Sequence, residues 1–278
     1  MRAVACYLLP TCFLGCLAAC SPESSTKPTR SCETALFCDD FESYPKSLPP
    51  GGPWAPQLKA GSLAVDETQH YSGAKSVKFS TDAASGTKRA LLRLATSTVF
   101  PLANDTLFGR MMFRLEAAPE TSVHWTLVQA GGLVEGQSYH ALYRYGGQLP
   151  ITADGAFVGS QWMANYETPD SYSGTGPSSD CWQHANQSVI PTSAWSCLEW
   201  KFDGQNNALS LWLDGEPLND LSVVGTGQGC VNQPATYVWT APQFDSLDVG
   251  WESYQTDEAR TLWLDDVALG AERIGCPD

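Results

Sequence analysis

Several short stretches of this chain alternate apolar rings and aliphatics with side chains able to hold a sugar or move a proton. In 122–129, His124 and Thr126 alternate with Trp125 and Leu127; in 138–148, His140, Arg144 and Gln148 alternate with Tyr139, Tyr143 and Tyr145. In 161–166, Gln161 and Asn165 stand against Trp162 and Tyr166; in 246–254, Asp248, Glu252 and Tyr254 stand against Leu247, Val249 and Trp251. The stretch 105–115 opposes Arg110 and Arg114 to Leu107, Met111, Phe113 and Leu115. Successive side chains of a strand point to opposite faces, so each stretch reads as one apolar and one polar face. A face that is merely wet carries mostly Ser, Thr, Lys and Glu. Arginine, histidine, amides and tyrosine supply planar donors, acceptors and flat rings, which suit a saccharide groove.

The elements that must position these residues are strands. Helical periodicity is nearly absent, and short β-branched and aromatic runs are separated by Gly, Pro, Asn and Asp clusters, as in a sandwich or jelly roll. The clearest runs are 75–81, 88–96, 105–115, 122–129, 138–146, 161–166, 196–203, 207–213, 246–253 and 259–269. Asp214-Gly215 after the run ALSLWL is a hairpin turn signal, and LEWKF and ALSLWL flank Asp203-Gly204 as a strand pair. The stretch 168–194 reads as a long polar loop. No internal repeat or second linker appears, so one all-β domain over 32–278 is expected, built as a sandwich or jelly roll.

The N-terminus sets the compartment. Arg2 precedes an apolar run from Ala3 to Ala19, too short to span a bilayer, and Leu17-Ala18-Ala19-Cys20 resembles the lipobox of bacterial lipoproteins. Residues 1–19 are therefore expected to be a signal peptide and Cys20 to carry lipid. Residues 20–31, rich in Ser, Pro and Thr, read as a flexible tether. The protein is expected to be exported and anchored to the bacterial cell envelope, at the outer membrane or cell surface. The net charge of −14 excludes nucleic acid as a general partner, since a phosphate binder needs a basic face. Six cysteines lie beyond Cys20: Cys32, Cys38, Cys181, Cys197, Cys230 and Cys276. An even count in an exported chain reads as three disulfides, with the pairing left open. No zinc-type spacing of Cys and His is present.

An ordered series of short motifs then carries a resemblance. Asp39-Asp40-Phe41-Glu42, His70-Tyr71-Ser72-Gly73, Trp195-Ser196-Cys197-Leu198-Glu199-Trp200, Leu211-Trp212-Leu213-Asp214-Gly215, Gly250-Trp251-Glu252-Ser253-Tyr254, Trp263-Leu264-Asp265-Asp266-Val267 and Gly275-Cys276 follow one another in that order. The chain, from about residue 37 to 277, resembles the fungal cellulose-induced secreted proteins, relatives of glucuronan and alginate lyases. The resemblance implies a concanavalin-like β-jelly roll sandwich of two antiparallel sheets with a concave groove, and one structural Ca²⁺ with Glu42, the loop from Ser72 to Lys75 and Asp265 as its ligands. Oxygen donors of this kind suit a hard cation. It also implies a Cys197–Cys276 disulfide; for the four cysteines outside the family pattern, the expectation is that Cys32–Cys38 closes a local loop and Cys181–Cys230 staples the long one.

The same resemblance implies β-elimination on a uronic-acid-containing, glucuronan-like polysaccharide. Arg144 and Gln148, helped by Asn165, would hold the substrate carboxylate. His140 or His124 would serve as base, and Tyr254 or Tyr166 as acid. Three features depart from the family pattern: the expanded stretch 168–194, the extra cysteines at 32, 38, 181 and 230, and His140, which falls two residues from the family's histidine. A non-catalytic carbohydrate-binding or adhesion module is the alternative. A jelly-roll hydrolase ranks last, because it needs a carboxylate pair at fixed separation and no Glu-x-Asp-x-x-Glu strand motif is present.

Overall fold

Alternating strands bury one face each only by pairing in sheets and stacking those sheets, and the chain does this twice over. The computed structural model describes residues 32, 35–169 and 176–277. The expected signal peptide 1–19, the expected lipid site Cys20 and the expected tether 20–31 lie outside the described residues. Seventeen strands are numbered in chain order. The back sheet contains β1 (Phe37–Asp39), β3 (Gly61–Asp66), β4 (Ser76–Thr81), β6 (Thr106–Leu115), β11 (Ser196–Asp203), β12 (Ala208–Leu213), β13 (Glu216–Pro217), β14 (Val223–Val224) and β17 (Arg260–Gly270). Its order is β13-β12-β11-β6-β17-β4-β3, with β1 beside β17 and β14 beside β12. The groove sheet contains β2 (Trp54–Lys59), β5 (Lys88–Leu94), β7 (Trp125–Leu133), β8 (His140–Ala153), β9 (Ala156–Glu167), β10 (Asp180–Val189), β15 (Gly229–Val231) and β16 (Gln243–Ser253). It runs β15-β10-β9-β8-β7-β16-β5-β2. This is the two-sheet jelly-roll sandwich that the alternation implied.

The apolar halves of the alternating stretches meet between the sheets. Trp125 of β7 stacks on Trp251 of β16 at 5.1 Å between ring centroids and meets Trp162 of β9 edge-on at 5.3 Å. Tyr145 of β8 stacks on Phe202 of the opposite sheet at 5.8 Å. All five rings are almost wholly buried, and large rings of this kind dominate core energetics. Two of their buried polar atoms find partners, the Trp125 indole donating to Ser160 at 2.8 Å and the Tyr145 hydroxyl to the Leu221 carbonyl at 3.1 Å, while the Trp162 and Trp251 indole N–H groups bond no described residue.

Local turn chemistry agrees with the pairing. Asp214 and Gly215 both adopt positive φ (50° and 86°), and Leu213 pairs with Glu216 across them. That is the mirror-image turn whose twist matches a two-residue hairpin. Strands β11 and β12 pair on either side of Gly204 as expected. The stretch 168–194 differs from its reading as a loop, because 180–189 forms β10 inside the groove sheet. Its sequence DCWQHANQSV has little intrinsic strand preference. Tertiary pairing supplies what propensity lacks: β9 lies on one side, β15 on the other, and Cys181 faces Cys230 in direct register within a disulfide.

The other two disulfides join Cys32 to Cys38 and Cys197 to Cys276. The last spans 79 residues of sequence and ties the C-terminus to β11. Beside it, buried Glu199 accepts the Gly275 N–H at 2.8 Å and two bonds from Arg273. Replacing Cys197 and Cys276 together by alanine is expected to lower the unfolding free energy by about 2–4 kcal/mol, read from denaturant titration. A loss below about 0.5 kcal/mol would show that the closure constrains nothing the core does not already hold.

Candidate active site

The groove lies on the face of its sheet that points away from the core, and its floor is a row of polar side chains in register. Asn165 of β9 faces Arg144 of β8, which faces Gln129 of β7, which faces Asp248 of β16, which faces Arg93 of β5. Residues directly opposite on paired strands share a face, so five strands deliver one continuous polar line. Its members are bonded end to end. Arg93 forks onto Asp248 with two bonds of 2.8 Å, Gln129 donates to Asp248 at 2.8 Å, and Arg144 Nε donates to the Gln129 carbonyl oxygen at 2.7 Å. Arg144 Nη1 reaches Asn165 Oδ1 at 3.3 Å and forms an ion pair with Glu167. The Asn165 amide donates onward to Asp180 at 2.7 Å and to the Cys181 carbonyl at 2.8 Å. The cavity above this floor has a volume of about 590 Å³.

Arg144 is the centre of the row. Burial works against its charge, and Tyr254, Glu167 and Glu252 more than offset that, so its affinity for the proton is raised and it stays a cation. Nε and Nη1 are committed to the floor, and no described residue bonds Nη2. The guanidinium lies 5.7 Å from the Tyr254 ring centroid. Tyr254 in turn donates to Glu252 at 2.9 Å, and its hydroxyl lies 3.2 Å from that of Thr126. Burial raises the Tyr254 pKa, Arg144 pulls it down and Glu252 pushes it up, leaving the hydroxyl protonated.

His124 packs against Tyr254 with ring centroids 4.9 Å apart. Its backbone N–H donates to the Gln255 side chain at 2.7 Å and its carbonyl accepts from Tyr254 at 3.1 Å. Buried Lys88 fixes this corner from behind, donating to the carbonyls of Ala84 and Gly86 at 2.9 Å and to that of Gln255. Burial first, and then the Arg144 charge, lower the His124 pKa to about 3. Its Nε2 is buried with no hydrogen-bond partner. The imidazole is therefore neutral at any ordinary pH.

The residues expected from the sequence divide into three groups. Arg144 and Tyr254 line the groove; Asn165 bonds Arg144 beneath it, and His124 packs against Tyr254 off the groove lining. His140 lines the groove but stands exposed at its edge. Gln148 and Tyr166 do not join. The β8–β9 register shifts between Gly147 and Pro150, so Gln148 lies past the break, off the groove lining, where its carbonyl accepts from Val123 at 3.1 Å. Tyr166 occupies the opposite face from Asn165 and is fully buried, stacked on Trp239 at 6.1 Å, which corrects its reading as an acid. Four participants were not singled out: Gln129, Glu167, Arg89 and Arg93. Strand β5, KRALLRL, carries the missed signal, since Arg89 and Arg93 alternate with Ala90, Leu92 and Leu94. Arg89 pairs with Glu252 across the strands, as Arg93 does with Asp248.

A second cluster gathers the residues expected to hold a cation. Asp265 is fully buried. Its Oδ2 accepts the backbone N–H of Tyr71 at 2.8 Å and of Ser72 at 3.1 Å. Glu42 Oε1 accepts those of Ala74 and Lys75 at 2.7 and 2.8 Å. Gly73 must be glycine: its φ is +56°, and a Cβ would collide with the Glu42 carboxylate. The Lys75 ammonium donates to the carbonyls of Glu42 and Tyr44, so only its own carbonyl could serve as a ligand. Burial pushes Asp265 up to about 7, and no Lys or Arg among the described residues pairs with it. Half-buried Glu42 and buried Asp265 thus converge from two segments on the 71–75 loop, with the Lys75 ammonium engaged by the Glu42 and Tyr44 carbonyls, and oxygen donors of this kind fit a hard divalent ion.

The sandwich, with its polar groove, is a carbohydrate-active jelly roll. The chain belongs to the family described as "Polysacc_lyase-like: Cip1-like, core domain", whose model matches residues 54–272. Among solved structures, the cellulose-induced protein Cip1 is 21% identical, with a TM-score of 0.58 over 87% of this chain and 100% of that one. The endo-β-1,4-glucuronan lyase from the fungus Trichoderma reesei is 14% identical, with a TM-score of 0.51 over 86% of this chain and 96% of that one. At these identities the likeness is one of fold. No curated protein matches the sequence.

The His124 environment makes a direct expectation. Its folded pKa of about 3 lies below the unfolded value of about 6.5, so the unfolded chain takes up the proton first as pH falls. The His124 contribution to stability is thus complete above about pH 6.5 and is lost as pH falls from there toward 3. In NMR titration the His124 ring signals should stay unshifted from about pH 8 to 4.5. An inflection near 6.5 would contradict the buried, Arg144-facing placement.

Proposed function

We propose that this chain is an exported, lipid-anchored polysaccharide lyase that cleaves a uronic-acid-containing polymer by β-elimination in the groove. The observation that carries the reading is Arg144. Its guanidinium is fixed by Gln129, Asn165 and Glu167, with the Tyr254 ring 5.7 Å away and the neutral His124 packed on that ring. Arg144 would bind the C6 carboxylate and stabilise the negative charge that grows on it as the C5 proton leaves. His124, held unprotonated, is the base. The electron pair of the C5–H bond forms the C4–C5 double bond, the C4–O bond breaks, and Tyr254 delivers its proton to the departing glycosidic oxygen. The products are a reducing end and a 4,5-unsaturated uronate. Glu252, bonded to the Tyr254 hydroxyl, orients it.

A second reading is a non-catalytic carbohydrate-binding module. The very weak basicity of His124 favours it. Family membership supports both readings, as each uses the groove. Wild-type protein should generate ultraviolet absorbance from a uronate-bearing polymer. Arg144→Ala and Tyr254→Phe should each lower kcat/KM by about 10²–10³, with unfolding midpoints of the folded variants checked in parallel. Binding without absorbance by the wild type would leave the module reading standing and sink the lyase.

Structural Ca²⁺ belongs to the same proposal, held by Glu42, Asp265 and the carbonyls of Ser72 and Lys75. It would tie the segment after β1, the 71–75 loop and β17 together. With Ca²⁺ at about 100 times its Kd, Tm should rise by about 5–10 °C over chelated protein. Asp265→Asn should remove that response, and an equal Tm with and without chelator would exclude the site. Lipid on Cys20 rests on the Leu17-Ala18-Ala19-Cys20 signal, and the membrane contact of the protein is through that lipid.

A further inference from the structure

The charge of the groove bears on which uronate polymer fits. Among the described residues, the arginines on its lining are Arg89, Arg93 and Arg144, and the carboxylates are Glu167, Asp245, Asp248 and Glu252. Every arginine is already paired: Arg144 with Glu167, Arg93 with Asp248, Arg89 with Glu252. Asp245 is exposed, and the partner bonded to it is the Ser246 hydroxyl at 2.8 Å. The described floor thus carries one negative charge in excess, within a chain whose formal charge is −14. From Arg144 to Arg93 the row crosses three strand spacings, about 14 Å. A polymer with a carboxylate on every sugar would lay several anions over that span, against donors already shared with Asp248 and Glu252 and beside unpaired Asp245. An acidic lining repels such a chain instead of steering it in. Arginine–carboxylate pairs suit hydroxyl groups better, because each offers free N–H donors and carboxylate lone pairs side by side.

We propose that the substrate is a mixed polysaccharide, presenting a single uronate to Arg144 and neutral sugars to the Arg93–Asp248 and Arg89–Glu252 pairs, and is not a polyuronate homopolymer. This rests on the lyase reading only in seating the uronate on Arg144. The pairs on β5 and β16 then select sugars by hydroxyl pattern, and Asp245 repels a neighbouring carboxylate.

The test is affinity electrophoresis of the Tyr254→Phe protein in gels containing either a glucuronate homopolymer or a polymer whose glucuronates are separated by neutral sugars. At low salt the mixed polymer should retard the protein at least about fivefold more strongly, and salt should improve homopolymer binding by screening repulsion. Asp245→Lys should strengthen homopolymer binding at low salt by about fivefold while changing mixed-polymer binding less than about twofold. Homopolymer binding as tight as mixed, weakened by salt, or indifferent to Asp245→Lys would overturn the proposal, as would binding to neither. Wild-type absorbance decides the chemistry separately. Preference for the mixed polymer without absorbance would sink the lyase reading and leave this selectivity standing.

Discussion

A guanidinium cannot shed its proton inside a protein, so burying Arg144 obliges the fold to surround it with acceptors. Three neighbours meet that demand from adjacent strands: Gln129 on one side, Asn165 and Glu167 on the other. None can serve unless β7, β8 and β9 hold their register, because a slip of one residue would turn each side chain to the core face. The same register extends through Asp248 to Arg93, so the groove floor and the sheet pairing are one constraint. The rings beneath enforce it. Trp125, Trp162 and Trp251 pack together under β7, β9 and β16, so a shifted strand would have to break these contacts.

Tyr254 and His124 depend on a different part of the molecule. Both sit where β16 ends and β7 begins, and the segment between them is pinned by backbone bonds and by Lys88, whose ammonium is spent on carbonyls. At the far side of the sandwich, the 71–75 loop gathers Glu42 and Asp265, and the Cys197–Cys276 disulfide fixes the C-terminus after β17. The back sheet is thus tied at its loops and terminus, while the groove sheet keeps an open outer face. That division suits a protein whose long polar surface must stay accessible to a chain-like ligand.

Much of this was legible because strand alternation is a local property. The polar faces of 122–129, 138–146 and 246–254 could be read residue by residue, and Arg144, Asn165, Tyr254 and His124 followed from them. Tyr166 failed the same rule, since alternation put it opposite Asn165 from the start. Gln148 failed for a reason that alternation cannot express: the register break after Gly147 moves it off the floor. Strand β10 was hidden because Asp180–Val189 is a strand by virtue of its neighbours and the Cys181–Cys230 link. Gln129 and Glu167 were hidden because their role is to balance Arg144, a demand visible only once the strands are set side by side.

The central claim is that Arg144 receives a sugar carboxylate next to Tyr254 and His124. A crystal structure of the Tyr254→Phe protein with a uronate-containing oligosaccharide tests it most directly. The account predicts the carboxylate within hydrogen-bond distance of Arg144 Nη2, with the C5 hydrogen turned toward the Tyr254–His124 corner. An oligosaccharide whose carboxylate turns to solvent, or one bound on the back sheet, would contradict it.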